Sequence, residues 1–130
     1  MKTETDVQNA SILAIVAGGG WASRNNSGVA HEENADGSIR HVRYGFANTS
    51  KKFNAVFKTG DLLGTSPAGL FCMWECKHPL WHYTGDETEL AQWNAIKFIR
   101  SRGGRAGFVT HPDQAVAIML GINGGAYDGP

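Results

Sequence analysis

The chain has 130 residues, which is enough for one domain whose hydrophobic core does not need disulfides or bound metal ions for stability. Hydrophobic residues make up 42% of the chain and there are four tryptophans, a composition that predicts a soluble globular protein. The formal net charge is zero, which argues against a uniformly basic nucleic-acid-binding protein.

Neither a membrane span nor an export signal is expected. The apolar run Ile12–Ala17 is too short to cross a bilayer, and Glu4 and Asp6 precede it, unlike the basic start of a signal peptide. Cys72 and Cys76 lie four positions apart on one predicted strand, too far apart for a disulfide. We therefore expect a reducing compartment, the cytoplasm of a bacterium or of an infected host cell.

The zero net charge hides a segregation of charges along the chain. Positions 37–60 contain basic residues and no acid, and so do positions 90–112. The basic residues of these segments are Arg40, Arg43, Lys51, Lys52 and Lys58, followed by Lys97, Arg100, Arg102 and Arg105. This segregation permits a local phosphate-binding surface, although ordinary solvated faces explain the charge pattern equally well by itself.

The first predicted element is a helix over Glu4–Val16. Thr3 is a suitable N-cap with Asp6 three residues later, and the triple glycine at 18–20 ends the helix. Because the glycines follow the helix instead of opening it, a nucleotide-binding loop is not predicted. A short strand at 21–24 then leads to a turn. Arg24 and Asn25 either belong to a loop that tolerates left-handed backbone, or they hold a phosphate or orient the acidic groups of a site.

A hairpin is predicted next. His31-Glu32-Glu33 could ligate a metal in isolation, but the following Asn34–Gly37 segment is typical of a turn, so a solvated hairpin is favoured. The strand Ile39–Tyr44 alternates basic and apolar side chains, which predicts a half-exposed strand with a cationic side. Positions 45–54 are predicted to be a loop that carries Lys51 and Lys52 and becomes ordered on DNA.

The stretch Thr59–Lys77 is predicted to form a second hairpin with its turn at Gly64–Gly69. Side chains alternate along a strand, so Glu75 and Lys77 share one face and lie about 7 Å apart. Asp61 stands at the start of the partner strand, and folding the hairpin brings it close to Glu75. Two carboxylates beside a lysine form an oxygen-rich pocket that suits Mg²⁺ or Mn²⁺ better than zinc.

A zinc site is a weaker alternative. It would use Cys72, Cys76, His78 and His82. The candidate ligands that share one strand face, Cys72, Cys76 and His78, would be spread over about 20 Å of strand, too far to surround one ion. Paired carboxylates also occur in glycoside hydrolases, where a lysine two residues along the strand is unusual.

The rest of the chain predicts a loop at 80–85, a helix over Asp86–Arg102, a buried strand over Ala106–Thr110 and a last helix from Pro112 to Gly121. Gln92 lies on the apolar stripe of the long helix, where an unpaired amide costs roughly 1–3 kcal/mol. It is either a satisfied core glutamine or a ligand of water or phosphate. The glycine-rich segment 122–130 is predicted to be a flexible tail.

Asp61 followed by Glu75-Cys76-Lys77 resembles the D…E-x-K signature of the PD-(D/E)XK nuclease superfamily. The resemblance to its VRR-NUC branch extends from about Glu4 to Leu120, in order and spacing. It also includes Arg24-Asn-Asn-Ser-Gly28, Lys77-His-Pro79, Gln92, Gly103-Gly-Arg-Ala-Gly-Phe-Val109 and His111-Pro-Asp113. Cys76, where an aliphatic residue is commoner, and the long connection 80–89 depart from the family pattern.

The resemblance implies a single nuclease domain over 1–130, an α/β fold with a restriction-endonuclease-like core, and a central mixed sheet flanked by helices. The implied catalytic residues are Asp61, Glu75, Lys77, Gln92 and Glu4, with Asp61, Glu75, Glu4 and the Cys76 carbonyl as metal ligands. The expected DNA-binding residues are Arg24, Asn25, Arg40, Arg43, Lys51, Lys52 and Lys58.

The expected activity is hydrolysis of DNA phosphodiester bonds with Mg²⁺ or Mn²⁺. Stand-alone members resemble Holliday-junction resolvases, which act as homodimers, so branched DNA and a second copy of the chain are the expected partners. No membrane and no small-molecule cofactor are expected. The alternative function is a catalytically inactive nucleic-acid-binding module of the same fold.

Overall fold

The computed structural model of the chain describes residues 1–130. Four helices and six strands follow one another along the chain. In order they are α1 (Glu4–Ala17), β1 (Trp21–Arg24), β2 (Gly28–Glu33), β3 (Ile39–Tyr44), α2 (Lys51–Asn54), β4 (Leu62–Thr65), β5 (Phe71–Cys76), α3 (Glu87–Ser101), β6 (Arg105–Val109) and α4 (Pro112–Leu120).

The central sheet has four strands in the order β1-β4-β5-β6. The pairs β1–β4 and β4–β5 are antiparallel, whereas β5 and β6 are parallel and are joined by the crossover helix α3. The sheet is therefore mixed, and helices pack against both of its faces. This confirms the predicted α/β architecture and is compatible with a restriction-endonuclease-like core.

Alternation along β5 divides the core into two halves. Cys72, Trp74 and Cys76 point to the face covered by α1 and α4, where Trp74 is fully buried and its indole Nε1 donates to the Ala115 carbonyl at 3.0 Å. Met73 points to the opposite face, where it packs with Phe108 of β6 and the apolar side of α3. Glu75 has the same parity as Met73, so it lies on the α3 side of the sheet.

The predicted helix signals are found at the ends of the helices. Thr3 and Asp6 form the capping box of α1, with Thr3 Oγ1 accepting from the Asp6 amide at 3.1 Å. Asp86 caps α3, and Pro112 stands in the first turn of α4. Gly121, with φ of +72°, ends α4 in the left-handed conformation that glycine favours.

Strands β2 and β3 form a separate antiparallel ribbon outside the central sheet. It is held to the body of the protein by its base, where the Asn48 side chain donates to the Gly28 and Tyr44 carbonyls at 2.7 and 2.8 Å. Within the predicted loop 45–54, the last residues instead form the single turn α2, capped by Ser50.

The tail 122–130 was expected to be flexible, but the structure packs it against the domain. Tyr127 stacks on Tyr83 with ring centroids 3.7 Å apart, and the Ala126 amide donates to the Phe108 carbonyl at 2.9 Å. Gly125 also forms a bridge with Phe108, so the tail covers part of the β6 edge. The sequence pattern missed these contacts because the partners of Tyr127 are distant along the chain.

None of the helices combines the length and the apolar character that crossing a membrane requires.

Gly64 of β4 leaves no room for a side chain against the backbone of β1. A Cβ atom added to it would lie 1.7 Å from the Trp21 carbonyl oxygen, a backbone atom that cannot rotate away. We expect Gly64→Ala to lower the free energy of unfolding by about 1–3 kcal/mol or more, because the two strands must separate to admit the methyl group.

Urea unfolding measures this loss, with Ser23→Ala on the exposed side of β1 as the control. A stability of Gly64→Ala equal to that of the parent would contradict the close approach.

Candidate active site

The β4–β5 register brings Asp61 and Glu75 together. Leu62 pairs with Trp74, so the residue before Leu62 faces the residue after Trp74 across the two strands. Asp61 is held in place by the Cys76 amide, which donates to its Oδ2 at 2.9 Å. The two carboxyl groups are close enough that the negative charge of Asp61 raises the pKa of Glu75.

Glu75 is the most strongly perturbed acid of the protein. It is only 5% exposed. Burial raises its pKa well above the usual value, the negative charge of Asp61 raises it further, and Lys77 lowers it. The pKa of Asp61 is also raised, mainly by burial and against the effect of the Cys76 amide. The pair therefore carries unfavourable negative charge that a cation would stabilise.

Lys77 lies beside this pair and is enclosed by aromatic rings. Its Nζ is 3.9 Å from Glu75 Oε1, and its side chain is only 14% exposed. The ammonium also lies 5.6 Å from the centroid of the Trp81 ring and 5.9 Å from that of Phe108, within cation–π range. The predicted convergence of Asp61, Glu75 and Lys77 is thus present in the structure.

Gln92 extends from α3 towards the same point. Its Nε2 donates to Glu75 Oε1 at 3.0 Å, whereas its own Oε1 is buried without a hydrogen-bond partner. Neither of the two interpretations from the sequence describes it fully, because the amide positions an acid of the site and leaves one acceptor free. A buried acceptor of this kind costs about 1–3 kcal/mol unless water or a ligand satisfies it.

Glu4 lies near the site but is exposed at the start of α1. Partial burial raises its pKa, as does the charge of Asp61, while Lys77 and His78 lower it. The charge of its carboxylate therefore interacts with the charges of Asp61 and Lys77 in the site. The structure has no group of three or more His, Cys, Asp or Glu side chains placed to hold one metal ion.

The donor chemistry of the pair fits a hard divalent cation. Two neighbouring carboxylates, with the unpartnered Gln92 Oε1 near Glu75, supply oxygen ligands, and Mg²⁺ commonly uses one or two carboxylates with water at the other positions. Asp61 and Glu75 would hold the ion. The predicted roles of Glu4 and of the Cys76 carbonyl as ligands stay predictions.

A polar cleft of about 570 Å³ opens beside Asp61. Arg24 and Asn25 both line it, together with Tyr44. The Asn25 side chain is engaged within the protein: its Nδ2 donates to Thr59 Oγ1 and to the Gly60 carbonyl, both at 3.1 Å, and its Oδ1 accepts from the Phe46 amide. Asn25 thereby orients the segment that carries Asp61, which is one of the two roles expected for it.

The other predicted DNA-binding residues lie outside the acid cluster. Arg40 forms an ion pair with Glu32 across the ribbon, and Arg43 on the other ribbon face donates to Asn48 at 3.3 Å. Lys51 and Lys52 are exposed on α2. Lys58 lines a smaller cavity of about 210 Å³ next to the cleft.

Sequence reasoning missed the aromatic wall beside Lys77, of which the Trp81 and Phe108 rings lie near its ammonium. It consists of Trp81, Tyr83, Trp93, Phe108 and Tyr127, whose rings lie within 3.7 to 6.4 Å of one another where they are neighbours. Trp81 and Tyr83 stand two positions apart in the connection 80–85, and this spacing in the sequence could have indicated an aromatic pair. Their common partner Phe108 is on β6 and could be identified only from the fold.

The zinc alternative finds no support in the geometry. Cys72 and Cys76 are fully buried free thiols, and burial raises the pKa of Cys72 to about 11. Burial together with the charges of Asp61 and Glu75 also raises the pKa of Cys76.

Comparison of the chain with protein-family models, with curated proteins and with solved structures finds no match.

Proposed function

We propose that this protein is a divalent-metal-dependent endonuclease that hydrolyses phosphodiester bonds in DNA. The observation that supports it is the meeting of Asp61, Glu75 and Lys77 at one buried point beside an open cleft. Two acids with raised pKa and one ammonium form a site that needs a cation and can receive a phosphate.

The bound ion and the protein side chains would contribute different parts of the reaction chemistry. A bound Mg²⁺ or Mn²⁺ would supply charge neutralisation at the phosphate and an acidic water molecule. Asp61 and Glu75 hold that ion, and Gln92 orients Glu75 through its amide. The Lys77 ammonium stabilises negative charge on the phosphate oxygens, and its aromatic enclosure keeps bulk water from weakening that interaction.

The cleft beside Asp61 offers the route for the DNA backbone. Arg24 lines it and supplies a guanidinium suited to phosphate. The ribbon and α2 carry Arg40, Arg43, Lys51 and Lys52, which extend the basic surface away from the acids. Phosphate contacts of this kind position a duplex without reading its sequence.

Branched DNA is the proposed substrate, and a homodimer is the proposed active form, because both follow from the resemblance to stand-alone VRR-NUC proteins. The proposed compartment is the cytoplasm, which suits two free buried cysteines.

The proposal is tested by incubating the protein with a four-way junction, a flapped duplex and a linear duplex, with Mg²⁺, with Mn²⁺ or with EDTA. We expect cleavage that requires the metal and is fastest on the junction. Equal cleavage of all three substrates would reject the preference for branched DNA.

A catalytically inactive DNA-binding module is the second candidate, and the lack of a third acidic ligand favours it. DNA binding without products under every metal condition would establish that candidate instead. Absence of both binding and cleavage would reject the two together.

A further inference from the structure

Two histidines face each other on the ribbon of β2 and β3. His31 and His41 are direct partners in the antiparallel register, and the centroids of their rings lie 4.6 Å apart. Both residues are exposed. Side chains of directly opposite residues point to the same side of a ribbon, with Cβ atoms about 4.5–5.5 Å apart, so this proximity is built into the strand pairing.

The ring nitrogens of this pair are free to bind. Neither His31 nor His41 forms a hydrogen bond or an ion pair in the protein, unlike His78 and His111, whose Nδ1 atoms accept backbone hydrogen bonds. On the same ribbon face the next position towards the turn is Glu33, an exposed acid. The nearest cation on that face is Arg43, at the other end, which donates to Asn48.

The spacing suits one metal ion shared by the two imidazoles. Nitrogens bound at about 2.0–2.1 Å with tetrahedral geometry lie roughly 3.3 Å apart. The two rings stand edge to face at 85° with centroids 4.6 Å apart, so sharing one ion requires rotation about the side-chain bonds, for which both exposed side chains have room. Imidazole prefers zinc, copper and nickel to magnesium and calcium.

We propose that His31 and His41 form a two-histidine site for a late first-row transition metal ion such as Zn²⁺, with water at the remaining positions. This site differs in chemistry and in place from the carboxylate pair, and it does not rest on the proposed nuclease activity.

The bound ion would act as a clamp between the two strands. An isolated two-stranded ribbon is marginally stable by itself, and this ribbon lies outside the central sheet, with the Asn48 hydrogen bonds at its base. One ion coordinated by both strands adds a link near the middle of the pairing, two positions from the turn end of the ladder. The link would order the strand that carries Arg40 and Arg43.

The test is a calorimetric titration of the full chain with ZnCl₂, in a large excess of Mg²⁺ so that the carboxylate pair is already occupied. We expect one equivalent to bind. His31→Ala and His41→Ala should each weaken binding by at least about tenfold, the lower end of the loss seen even when an outer-shell partner of a metal is removed. His82→Ala, an exposed histidine of the loop 80–85, is the matched control and should bind as the parent does.

A second readout locates the ion directly. In NMR spectra, Zn²⁺ should shift the imidazole signals of His31 and His41 and the amide signals of β2 and β3, and leave those of His82 in place. The proposal is overturned if the parent binds no Zn²⁺, if both ribbon variants bind as the parent does, or if the shifts fall elsewhere. Because both side chains are exposed, the variants are expected to fold, which the rest of the spectrum verifies.

Discussion

Asp61→Asn and Glu75→Gln are each expected to reduce DNA cleavage by about a thousandfold or more. Both changes keep the size of the side chain and remove the charge that holds the cation. A bound metal supplies several kcal/mol of transition-state stabilisation, and each 1.36 kcal/mol corresponds to a factor of ten in rate. Single-turnover cleavage under saturating Mg²⁺ measures the loss, and a binding assay verifies that DNA still binds.

The same variants should be more stable than the parent when no metal is present. The folded protein raises the pKa of Glu75 above its usual value of 4.5, so the folded state binds the proton more tightly than the unfolded chain does. Stability of the parent therefore falls as pH rises from that usual value through the raised one. Glu75→Gln has no proton to lose at this position, so its fall should be smaller than that of the parent and should come from Asp61, whose pKa is also raised. Thermal unfolding measured against pH in EDTA would reveal the difference.

Adding Mg²⁺ should reverse the order of stability. The ion binds the folded parent and not the variants, and a concentration one hundred times its Kd stabilises by about 2.7 kcal/mol. Glu89→Gln is the control, since Glu89 is as buried as Glu75, at 5% exposure, but accepts hydrogen bonds from Thr84 away from the site. The folded Glu89→Gln protein should cleave DNA as the parent does. Equal stabilisation of all three acid variants by Mg²⁺ would refute the site.

The alternation of side chains along a strand was sufficient to predict the pair formed by Glu75 and Lys77. A hairpin turn between two short apolar runs was sufficient to bring Asp61 opposite Glu75, because the turn sets the register. The capping box of α1 was also visible, since it depends on residues within one turn of helix. Local rules predicted these features because all the partners are close together in the sequence.

Those local rules could not predict contacts between segments that are distant in the sequence. The apolar stripe of α3 marked Gln92 as buried, but only the parallel crossover from β5 to β6 brings its amide to Glu75. Glycines made the tail 122–130 resemble a flexible end, although Tyr127 stacks on Tyr83 and packs edge-on against Trp93. A single aromatic residue among glycines gives no local pattern, so its docking depends on a surface that exists only after folding.

The aromatic wall has a consequence for Lys77 that the sequence pattern did not suggest. An ammonium over Trp81 and Phe108 and beside Glu75 is held by two kinds of favourable contact. It therefore has one preferred position for its charge, and that position is next to the acids.

We expect Lys77→Met to lower the cleavage rate by about a hundredfold to a thousandfold, the cost of removing one donor that stabilises transition-state charge. Methionine keeps an apolar stem against Trp81, so the fold should be preserved. Lys77 lowers the pKa of Glu75, and its loss should raise that pKa further. Because the acids hold the cation in their ionised form, the pH–rate profile of Lys77→Met should move to higher pH.

Lys97→Met is the matched control, because Lys97 also places its ammonium over an aromatic ring, 6.0 Å from the centroid of Trp93, but is exposed and forms no ion pair with the acids. It should cleave DNA as the parent does, with the same pH profile. If Lys77→Met and Lys97→Met reduced the rate equally, the effect would be a general loss of positive charge near DNA. A reduced rate with an unmoved pH profile would mean that Lys77 contacts the phosphate without tuning Glu75.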